Sequence, residues 1–275
     1  MKTLTNNRSG KSTSSHISRA AMDHMQANSL YDLMALMPGG ISENQNMNSA
    51  QQITIRQIAS DKGPEAMNAL GTAIIRDGAP ISNNANLSAM NPTVLNGSDT
   101  PSALAGGASP AGGTDVRSIS TENIESIQII RGIPSVEYGD LTSGAVIINT
   151  KAGREPLRVK ANPNIYQVSM GTGFDLGKKQ GAFNISADYA HNTKDPTSSY
   201  MHYQRATAKV LYSNTFFRDK LRTNTSVDFV YGKDVRERNP DDEQNKTASE
   251  GRDVGATFNT NGTWNINKGW LKTLR

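Results

Sequence analysis

The chain contains no cysteine, and this absence excludes several classes of protein. A disulfide framework, a thiolate-bound metal and a cysteine nucleophile all require thiols. Long apolar runs are also missing, because no stretch approaches the ~18 apolar residues of a transmembrane helix. The formal net charge of +4 over 275 residues is too small to indicate a nucleic-acid partner. No Gly-x-Ser-x-Gly, His-Glu-x-x-His or phosphate-loop motif occurs, so nothing in the sequence predicts an enzyme.

The composition changes near residues 151–156 and divides the chain into two halves. Residues 1–150 hold 9 Lys and Arg against 12 Asp and Glu, whereas residues 151–275 hold 20 against 13. Most aromatic residues lie in the second half, and most methionines lie in the first. Such a step indicates two kinds of structure. The predicted segments are an N-terminal tail over 1–13, a first domain over 14–153 and a second unit over 154–275.

The second half alternates between apolar and polar residues, which is the pattern of β-strands with two different faces. The alternating segments are 166–176, 183–189, 205–213, 221–231 and 254–266. Each has about the length that crosses a bilayer at a tilt. The connections alternate between short turns and long polar loops, with the long ones predicted at 192–202 and 232–252. This combination is typical of outer-membrane β-barrels.

Aromatic residues are predicted to form a belt at each end of these strands, as expected at the two surfaces of a membrane. The belt at the long loops comprises Tyr166, Tyr189, Tyr203 and Tyr231, and the belt at the short turns comprises Phe174, Phe183, Tyr212, Phe216, Trp264 and Trp270. A soluble β-sandwich also alternates and is the competing interpretation. Strands of more than ten residues and a face rich in Asn, Asp, Lys and Arg favour the barrel.

The first half predicts a small α/β domain. Ser29 precedes an apolar stripe at helical spacing and has Asp32 three residues later, which predicts a capped helix that Pro38 ends. Short apolar runs follow at 53–55 and 73–75, and the second run ends in an Asp-Gly turn signal. Residues 82–117 have little periodicity and are predicted to form a long irregular loop. The remaining predicted elements are a short helical turn from Ser120 that leads into a strand ending near Gly132, and a strand over 144–151.

The stretch from Ile124 to Lys151 resembles the end of the plug domain of TonB-dependent outer-membrane receptors. Its sequence, IESIQIIRGIPSVEYGDLTSGAVIINTK, contains an Ile-Glu pair, an Arg-Gly-x-Pro-Ser segment, a Tyr-Gly pair and an apolar strand that begins with glycine. The segment Ser29–Gly40 is similar to a helix of the same domain. The plug-motif residues that the resemblance implies are Arg131, Gly132, Glu137, Tyr138, Gly139 and Gly144.

The resemblance implies an α+β plug domain followed by antiparallel transmembrane β-barrel strands. It also implies uptake of a nutrient, of the oligosaccharide, peptide, haem or siderophore type, across the outer membrane of a Gram-negative bacterium. The implied partners are the TonB energising complex and the lipid bilayer, and no cofactor is implied. Residues 161–174 and 187–189 look like the branch that often works with a surface lipoprotein. The alternative function is that of a soluble β-rich binding or adhesion module without transport.

Two roles are compatible with two members of the plug motif. Arg131 and Glu137 fit a polar network between plug and barrel wall, by resemblance, but they equally fit solvated charges in a turn. The glycines of the motif are expected to serve tight turns. On this interpretation the motif residues maintain the fold and carry no chemistry.

Three other patterns are weak. Gly171–Gly177 resembles a dinucleotide-binding loop, but the glycine spacing is wrong and no helix follows, so a small-residue stripe is favoured. His191 and His202 flank one predicted loop, where a surface pair is favoured over a metal site. The run Asp241-Asp242-Glu243 could bind a cation, and a charged loop tip is the simpler interpretation. Substrate-binding residues are not identified by the sequence.

The length leads to a final expectation. A barrel of about 22 strands needs on the order of 220 residues for its strands alone. The segment after residue 153 has room for six or seven strands, and no secretory signal or TonB box is visible before the plug. We therefore expect a truncated piece, in which the plug lies beside an open curved sheet that does not close into a barrel.

Overall fold

The computed structural model contains two β-sheets, one of six strands and one of seven. The residues that it describes are 4–7, 13–37, 47, 51, 53–55, 71–82, 114–131, 143–151, 153–163, 166–177, 180–195, 198–217, 220–238, 248–268 and 271–274. Among these residues, no helix is both long and apolar enough to cross a membrane. The chain passes from the first sheet to the second between Thr150 and Glu155.

The six-stranded sheet forms the centre of the predicted plug domain, and its strand order is β1-β2-β5-β6-β3-β4. Its strands are β1 Leu4–Asn7, β2 Thr13–Ser18, β3 Thr72–Arg76, β4 Ala79–Ile81, β5 Ile124–Arg131 and β6 Gly144–Thr150. All neighbours are antiparallel except β3 and β6, which are parallel. Helix α1 (Arg19–Met25) follows β2, and 3₁₀ helices cover Asp32–Leu36 and Val116–Ser118.

The plug domain has a dry apolar core beside its sheet. Ile17 of β2, Ile127 of β5 and Ile148 of β6 are fully buried. Met22 of α1 and Leu33 of the first 3₁₀ helix pack into the same core. Branched side chains fit the pleated surface of a sheet, and their burial supplies the main favourable free energy of a small domain.

The predicted strands at 73–75, before Gly132 and at 144–151 are confirmed by β3, β5 and β6. The predicted helix after Ser29 is instead a short 3₁₀ helix, Asp32–Leu36. Ser29 forms a β-bridge with Ser120, so its backbone is extended. The carboxylate of Asp32 accepts the backbone N–H groups of Asn28 and Ser29 at 2.9 and 3.0 Å. Asp32 therefore contacts Ser29, but the predicted capped helix is wrong, because the N-cap of the observed 3₁₀ helix is Tyr31 and no side chain caps it.

The N-terminal region contains three elements that the sequence pattern does not predict, β1, β2 and α1. Within the predicted tail at 1–13, Leu4–Asn7 forms β1 and pairs with β2. β2 and α1 follow directly, and β2 also pairs with β5. Ile17 is the one large apolar residue in Thr13–Ser18, so the segment has no alternation to detect. The strand forms because β5 offers it an edge of backbone N–H and C=O groups.

The seven-stranded sheet, here called the wall sheet, is a continuous antiparallel meander in the order β13-β12-β11-β10-β9-β8-β7. Its strands are β7 Glu155–Asn162, β8 Gln167–Gly177, β9 Gly181–Asp195, β10 Ser198–Phe216, β11 Leu221–Arg236, β12 Ser249–Lys268 and β13 Leu271–Leu274. Within the described residues β7 and β13 are its two edges, so the sheet is open. The loop end of the wall sheet is the end where β9 joins β10 and β11 joins β12; the turn end is the opposite one.

All five predicted wall strands are confirmed, but they are longer than predicted. β9 continues to Asp195 and β10 begins at Ser198, so most of the predicted loop at 192–202 is strand. β11 and β12 likewise extend into the predicted loop at 232–252. The alternation of apolar and polar residues ends before the strands do, whereas the backbone pairing between neighbouring strands continues toward the loop end. Gly171–Gly177 lies inside β8, so the dinucleotide-loop interpretation is wrong.

The burial of the two faces of the wall sheet is the reverse of that in a soluble protein, because the polar face is buried and the apolar face is exposed. The face toward the plug domain buries polar and charged side chains, which include Gln167, Ser169, Asn184, Asp188, Arg205, Lys209, Ser226 and Asp228. The opposite face exposes apolar side chains, which include Val159, Val168, Met170, Ile185, Val210, Val227, Phe229, Val254 and Phe258. Phe258 is 69% exposed while Lys209 is 3% exposed.

The predicted aromatic belts are confirmed in part. At the turn end, the ring centroid of Phe183 lies 5.8 Å from that of Phe174 and 4.9 Å from that of Tyr212. At the loop end, Tyr189 is 49% exposed on the outer face. Tyr203 was assigned to the same belt, and this assignment is wrong because its side chain is buried on the inner face. Trp270 lies outside the described residues.

Candidate functional site at the interface between plug domain and wall sheet

Most of the described contacts between the plug domain and the wall sheet are ionic or hydrogen-bonded, and one small apolar cluster joins Met47 of the plug domain to Ala190 and Tyr203 of the wall sheet. The polar contacts form three groups, named here after one plug residue each: the Arg117 cluster, the Asp77 cluster and the Asp23 cluster. Each group joins a turn or a helix of the plug domain to the inner face of the wall sheet. Polar contacts of this kind match the buried polar face described above, since buried polar groups require partners.

The Arg117 cluster has a fully buried guanidinium at its centre. Nη2 of Arg117 lies 2.6 Å from Oδ2 of Asp115 and 2.7 Å from Oδ2 of Asp234 on β11. Nη1 donates to the backbone oxygen of Met47 at 2.8 Å. The guanidinium carbon also lies 3.9 Å from the ring centroid of Tyr203, a cation–π distance.

The 3₁₀ helix places Asp115 beside Arg117 through local contacts alone. Asp115 caps the 3₁₀ helix by accepting the backbone N–H of Arg117 at 3.0 Å. The same carboxylate accepts Nε of Arg117 at 2.9 Å. Burial lowers the pKa of Arg117, but the attraction of Asp115 and Asp234 outweighs it and raises that pKa above its usual range. The guanidinium therefore stays charged when it enters the interface, because its first counter-charge is only two residues away.

A second buried arginine, Arg205 of β10, completes this group from the wall side. Its Nη1 donates to the backbone oxygen of Arg117 at 2.6 Å. Its Nη2 lies 2.5 Å from Oδ1 of Asp188 on β9. The other carboxylate oxygen of Asp188 accepts the amide of Gln167 on β8. The charge of Arg205 is thus neutralised within the wall sheet, and its remaining donors satisfy a carbonyl of the plug domain.

The Asp77 cluster lies at the turn between β3 and β4. Asp77 and Gly78 have φ angles of 51° and 85°, which an Asp-Gly pair adopts readily. The carboxylate of Asp77 accepts the backbone N–H and the hydroxyl of Thr150 at 2.9 Å each. It also lies 3.0 Å from Nζ of Lys209 on β10. Lys209 in turn lies 3.2 Å from Asp228 on β11.

Two further wall residues hold the same turn. The side-chain amides of Asn259 and Asn261 on β12 donate to the backbone oxygen of Asp77 at 3.2 and 2.7 Å. Arg76 lies 3.6 Å from Asp228. Arg76 at the end of β3 and the turn residue Asp77 therefore contact three neighbouring strands of the wall sheet, β10, β11 and β12, through polar groups.

The Asp23 cluster joins α1 to β7. Asp23 lies 2.6 Å from Arg19 one helical turn earlier and 3.0 Å from Arg158 of β7. Burial raises the pKa of Asp23, but the hydrogen bonds and charges of Arg19 and Arg158 outweigh it and lower that pKa below its usual range. Beside this pair, Nζ of Lys160 donates to the backbone oxygen of Ala27 at 3.2 Å.

Two described members of the predicted plug motif act inside the plug domain. Arg131 ends β5 and donates to the hydroxyl of Ser15 on β2 at 3.2 Å. Gly144 begins β6, where an added Cβ would lie 2.5 Å from the backbone oxygen of Ile130. Gly144 is therefore required by a close approach between strands, so the expected tight turn is wrong for this residue. Gly132, Glu137, Tyr138 and Gly139 lie outside the described residues.

The charged residues of the interface were not identified from the sequence as a site. The face with Asp188, Arg205 and Lys209 was recognised as polar, and Asp77 was recognised as part of a turn. The plug-to-wall contacts of the three clusters join residues 88 to 184 positions apart, which no local spacing reveals. The signal that was available is the charge step between the two halves of the chain, because a negative domain inside a positive wall predicts ion pairs between them.

The predicted metal-binding alternatives give no site in the described part of the chain. His191 and His202 lie on β9 and β10 with ring centroids 5.3 Å apart, so they are a cross-strand pair and do not flank a loop. Groups of three or more His, Cys, Asp or Glu side chains that could hold a metal ion are absent from the described residues. Asp241, Asp242 and Glu243 lie outside them.

Comparison with known folds agrees with this architecture. A mutant of the ferric enterobactin receptor PfeA from Pseudomonas aeruginosa, in complex with enterobactin, matches with a TM-score of 0.60 and 16% sequence identity over 96% of this chain and 40% of that chain. The siderophore receptor PirA from Acinetobacter baumannii gives a TM-score of 0.58 and 16% identity over 92% of this chain and 38% of that chain. A P. aeruginosa FpvA complex with a pyoverdine gives a TM-score of 0.61 and 11% sequence identity over 98% of this chain and 34% of that chain.

These structures establish the fold, and the chain spans less than half the length of each of them. A search of curated protein sequences finds no match. The family model of the TonB-dependent receptor plug domain matches residues 6–146, which is more than half of the chain. With this match and with its plug sheet docked on the polar face of an antiparallel wall, the chain belongs to the TonB-dependent receptor family.

Proposed function

We propose that this chain supplies the plug and the adjoining barrel wall of an outer-membrane receptor that takes up a nutrient by TonB-dependent transport. The observation that carries the proposal is the inverted burial of the wall sheet. Phe258 and Val254 are 69% and 63% exposed on its outer face, while Arg205 and Asp188 are buried on its inner face. An outward apolar face is stable where lipid surrounds it, and backbone groups in lipid must pair as they do in a barrel.

The soluble-module alternative fits this pattern poorly. A soluble sheet that packs on a domain buries its apolar face and exposes its polar one. Here the polar face is the buried one, and the exposed apolar side chains form one contiguous surface across β7 to β12. Exposed apolar patches of such extent mark a partner or a membrane, and here the membrane matches the strand lengths.

The mainly polar interface supports a plug that is held firmly and released with little exposure of apolar surface, since Met47, Ala190 and Tyr203 form a small apolar cluster across it. The ion pairs and hydrogen bonds of the three clusters are contacts that water can replace one by one when the plug moves. In the family, energised TonB pulls the N-terminal segment of the plug. The segment Leu4–Asn7 pairs only as the edge strand of the plug sheet. We infer that force applied before Thr13 separates β1 from β2 first.

The proposal names only the class of the substrate. Oligosaccharide, peptide, haem and siderophore receptors share the plug architecture. Of the three structures above, one is named a siderophore receptor, one a ferric enterobactin receptor, and one is a complex with a pyoverdine. The residue pattern after Ala161 resembles the branch that works with a surface lipoprotein. TonB-dependent receptors are transporters and not enzymes. We therefore propose uptake of a nutrient or siderophore, with a surface lipoprotein as a candidate partner.

The test uses the complete receptor in its native cells. A deletion strain and a complemented strain are compared for uptake of labelled ferric enterobactin, haem, an oligosaccharide and an oligopeptide. We expect the receptor in the outer-membrane fraction, resistant to carbonate extraction, and uptake of at least one probe that stops when the proton-motive force is collapsed. A receptor that stays soluble without detergent would refute the proposal. A membrane-bound receptor that binds these probes without energy-dependent uptake would refute transport alone.

A further inference from the structure

A strip of small residues runs along the inner face of β8 and β9. Gly171 and Gly173 of β8 lie opposite Ser186 and Asn184 of β9 in the strand register, and Ser169 precedes them on β8. All five residues are buried, and they are here called the inner strip. Because two of them are glycine and two are serine, the wall backbone lies almost bare toward the plug domain.

Other strands of the wall sheet present longer side chains to the plug domain. Arg205 and Lys209 of β10, Asp228 of β11, and Asn259 and Asn261 of β12 all contact it directly. These side chains fill the space between plug and wall with hydrogen bonds and ion pairs. The inner strip has much less side-chain volume to move aside when the plug domain shifts.

One charged residue of the plug domain faces the inner strip. Glu122 is 4% exposed, and its Oε2 accepts the hydroxyl of Ser169 at 3.3 Å and lies 3.8 Å from Nη2 of Arg19. Its other oxygen, Oε1, lies 3.8 Å from the position that a Cβ on Gly171 would occupy. This Oε1 is buried and has no hydrogen-bond partner in the described part of the chain.

Two wall side chains along the same strip also have unpaired polar atoms. Nδ2 of Asn184 and Oε1 of Gln167 are buried without a hydrogen-bond partner among the described residues. Buried polar atoms in native proteins nearly always bond to protein, to water or to a ligand. Acceptors on Glu122 and Gln167 and a donor on Asn184 fit a guest that both donates and accepts hydrogen bonds.

The inner strip is closed at both ends in this structure. At the loop end, Asp188 pairs with Arg205, which donates to the backbone oxygen of Arg117. At the turn end, the chain between the two domains packs on Gly173, where an added Cβ would lie 2.9 Å from the backbone nitrogen of Glu155. Release of the Arg117 cluster therefore opens the strip toward the loop end.

We propose that the nutrient passes the plug domain along the inner strip, and that the strip favours a solute rich in neutral hydroxyl and amide groups, as in an oligosaccharide or a peptide. Such a solute donates to Glu122 and accepts from Asn184 on its way. A haem meets no apolar side chain there, and an anionic siderophore complex meets the carboxylate of Glu122. This inference rests on the proposed transport function.

The location of the route is tested with single cysteines in the complete receptor in its native cells. Ser186→Cys lies in the inner strip, and the control Ser226→Cys lies on the inner face of β11; both serines are buried, at 7% and 2% exposure. A membrane-impermeant thiol reagent is added with the nutrient, with and without the proton-motive force. We expect energy to raise labelling of Ser186→Cys about tenfold and to leave Ser226→Cys unchanged.

A bulky methanethiosulfonate adduct then tests whether the labelled position lies on the route. Uptake by labelled Ser186→Cys should stop, binding of the nutrient to the cells should persist, and reduction of the adduct should restore uptake. Faster labelling of Ser226→Cys, or full uptake by labelled Ser186→Cys, would overturn the route. Heat-dependent migration on gels reports assembly. If Ser186→Cys does not assemble, Ser169→Cys in the same strip decides.

The chemistry of the strip is tested at Glu122. Glu122→Gln keeps a hydrogen-bond acceptor of the same size, whereas Glu122→Leu removes it. We expect uptake of the oligosaccharide or peptide to fall about tenfold in Glu122→Leu and much less in Glu122→Gln, with binding to the cells unchanged in both. A role confined to holding the plug domain would instead raise labelling of Ser186→Cys without energy. Unchanged uptake by Glu122→Leu would contradict a contact with the solute.

Failure of this inference is distinguishable from failure of the proposed function. An inserted receptor without energy-dependent uptake of any probe contradicts transport itself. Energy-dependent uptake of haem or ferric enterobactin alone leaves transport intact and contradicts the solute class. Uptake of the oligosaccharide or peptide, with Ser186→Cys inaccessible throughout, contradicts only the route along the inner strip.

Discussion

The plug domain and the wall sheet both have strands in which apolar and polar residues alternate, but the apolar face is buried in the first and exposed in the second. In the plug domain the apolar side chains Ile17 and Ile127 are buried in a dry core. In the wall sheet Val210 and Phe258 are exposed, and Asp188 is buried against the plug domain. The comparison shows that alternation defines two faces but does not say which face meets the solvent. That decision depends on what lies on each side of the sheet.

The interface between the plug domain and the wall sheet differs from both the apolar core of the plug domain and the exposed apolar face of the wall sheet. It is neither an apolar core nor a water-filled gap, because three clusters of ion pairs join the plug domain to the wall. Buried ion pairs add little net stability relative to apolar packing, but breaking one member is costly. An interface built this way holds one docked arrangement firmly. It also leaves both partners with mainly polar surfaces when they separate, apart from the small cluster of Met47, Ala190 and Tyr203.

The largest expected effect comes from removing the central cation of the interface. Arg117→Ala leaves the buried carboxylate of Asp115 and the partly exposed carboxylate of Asp234 without their shared partner, which should cost about 3 kcal/mol of docking free energy. The chain has no cysteine, so Ala190→Cys, at a buried inner-face site of β9 that packs against Met47 of the plug domain, provides a single reporter of plug opening. Urea titration of the complete receptor in detergent, with thiol labelling, measures the change.

Two companion variants sharpen this prediction. Arg131→Ala removes an arginine whose described hydrogen bond is to Ser15 within the plug domain, and it should shift the transition much less. Combining Arg117→Ala with Asp115→Asn and Asp234→Asn removes the uncompensated charges and should restore part of the loss. If Arg117→Ala labels no faster than wild type, the cluster does not hold the plug.

The same substitution in the two regions tests the comparison directly. Ile127→Ala in the plug core should lower the free energy of unfolding by about 3 kcal/mol, because it leaves a cavity in a close-packed core. Ile185→Ala on the outer face of β9 should change it by less than about 1 kcal/mol, since lipid fills the space. Denaturant titration of both variants measures the difference. Equal losses would mean that the outer face is packed against protein.

A charge on the outer face tests the proposed lipid contact. Val210→Arg places a guanidinium in the middle of the apolar face and should cost about 2–4 kcal/mol if bilayer surrounds it. Val210→Leu is the control and should be nearly neutral. The amounts of folded receptor in the outer membrane and its unfolding in lipid vesicles provide the measurement. A Val210→Arg receptor as stable as the control would contradict a lipid-facing Val210.

The smallest expected effect is a pH dependence of the Asp23 cluster. The pKa of Asp23 is lowered by Arg19 and Arg158 against the opposing effect of burial. A carboxylate with a lowered pKa in the folded state stabilises that state above its unfolded pKa. This stabilisation is lost as the pH falls through the lowered value, hence below about pH 4. The pair is partly exposed, so the loss should stay below about 1 kcal/mol.

Thiol labelling of the Ala190→Cys reporter between pH 5 and acid conditions measures this dependence. Asp23→Asn should remove the part of the acid sensitivity that comes from this cluster, while leaving the Arg117 and Asp77 clusters unchanged. An Asp23→Asn receptor with the full acid response of wild type would show that other carboxylates control it.

Much of the fold was predictable from local pattern. Period-two alternation identified the five long wall strands, and the Ile124–Lys151 motif identified the plug domain. The pattern failed at β2, because Thr13–Ser18 has a single large apolar residue. It also failed for Tyr203, which shares its strand with outward-facing residues but points inward to Arg117. One residue of register separates the two faces of a strand, and composition alone does not fix that register.

The candidate site was predictable only in outline. The opposite net charges of the two halves indicated polar contacts between them. The partners could not be named, because Arg117 and Asp234 are more than a hundred residues apart. Arg131, which the motif emphasised, pairs inside the plug domain, whereas Arg117, outside the motif, is fully buried between plug and wall.

The sequence by itself determined that the chain has two domains of different chemistry, that the second is a set of long two-faced strands, and that the first is a plug. Alternation, turn residues and a short motif are local properties, so they survive without knowledge of the fold. Only the tertiary structure decided which face of each strand is buried and which charges pair across the interface. These depend on the docking of two sheets, and the energy of a buried charge is set by the partner that the docking brings to it.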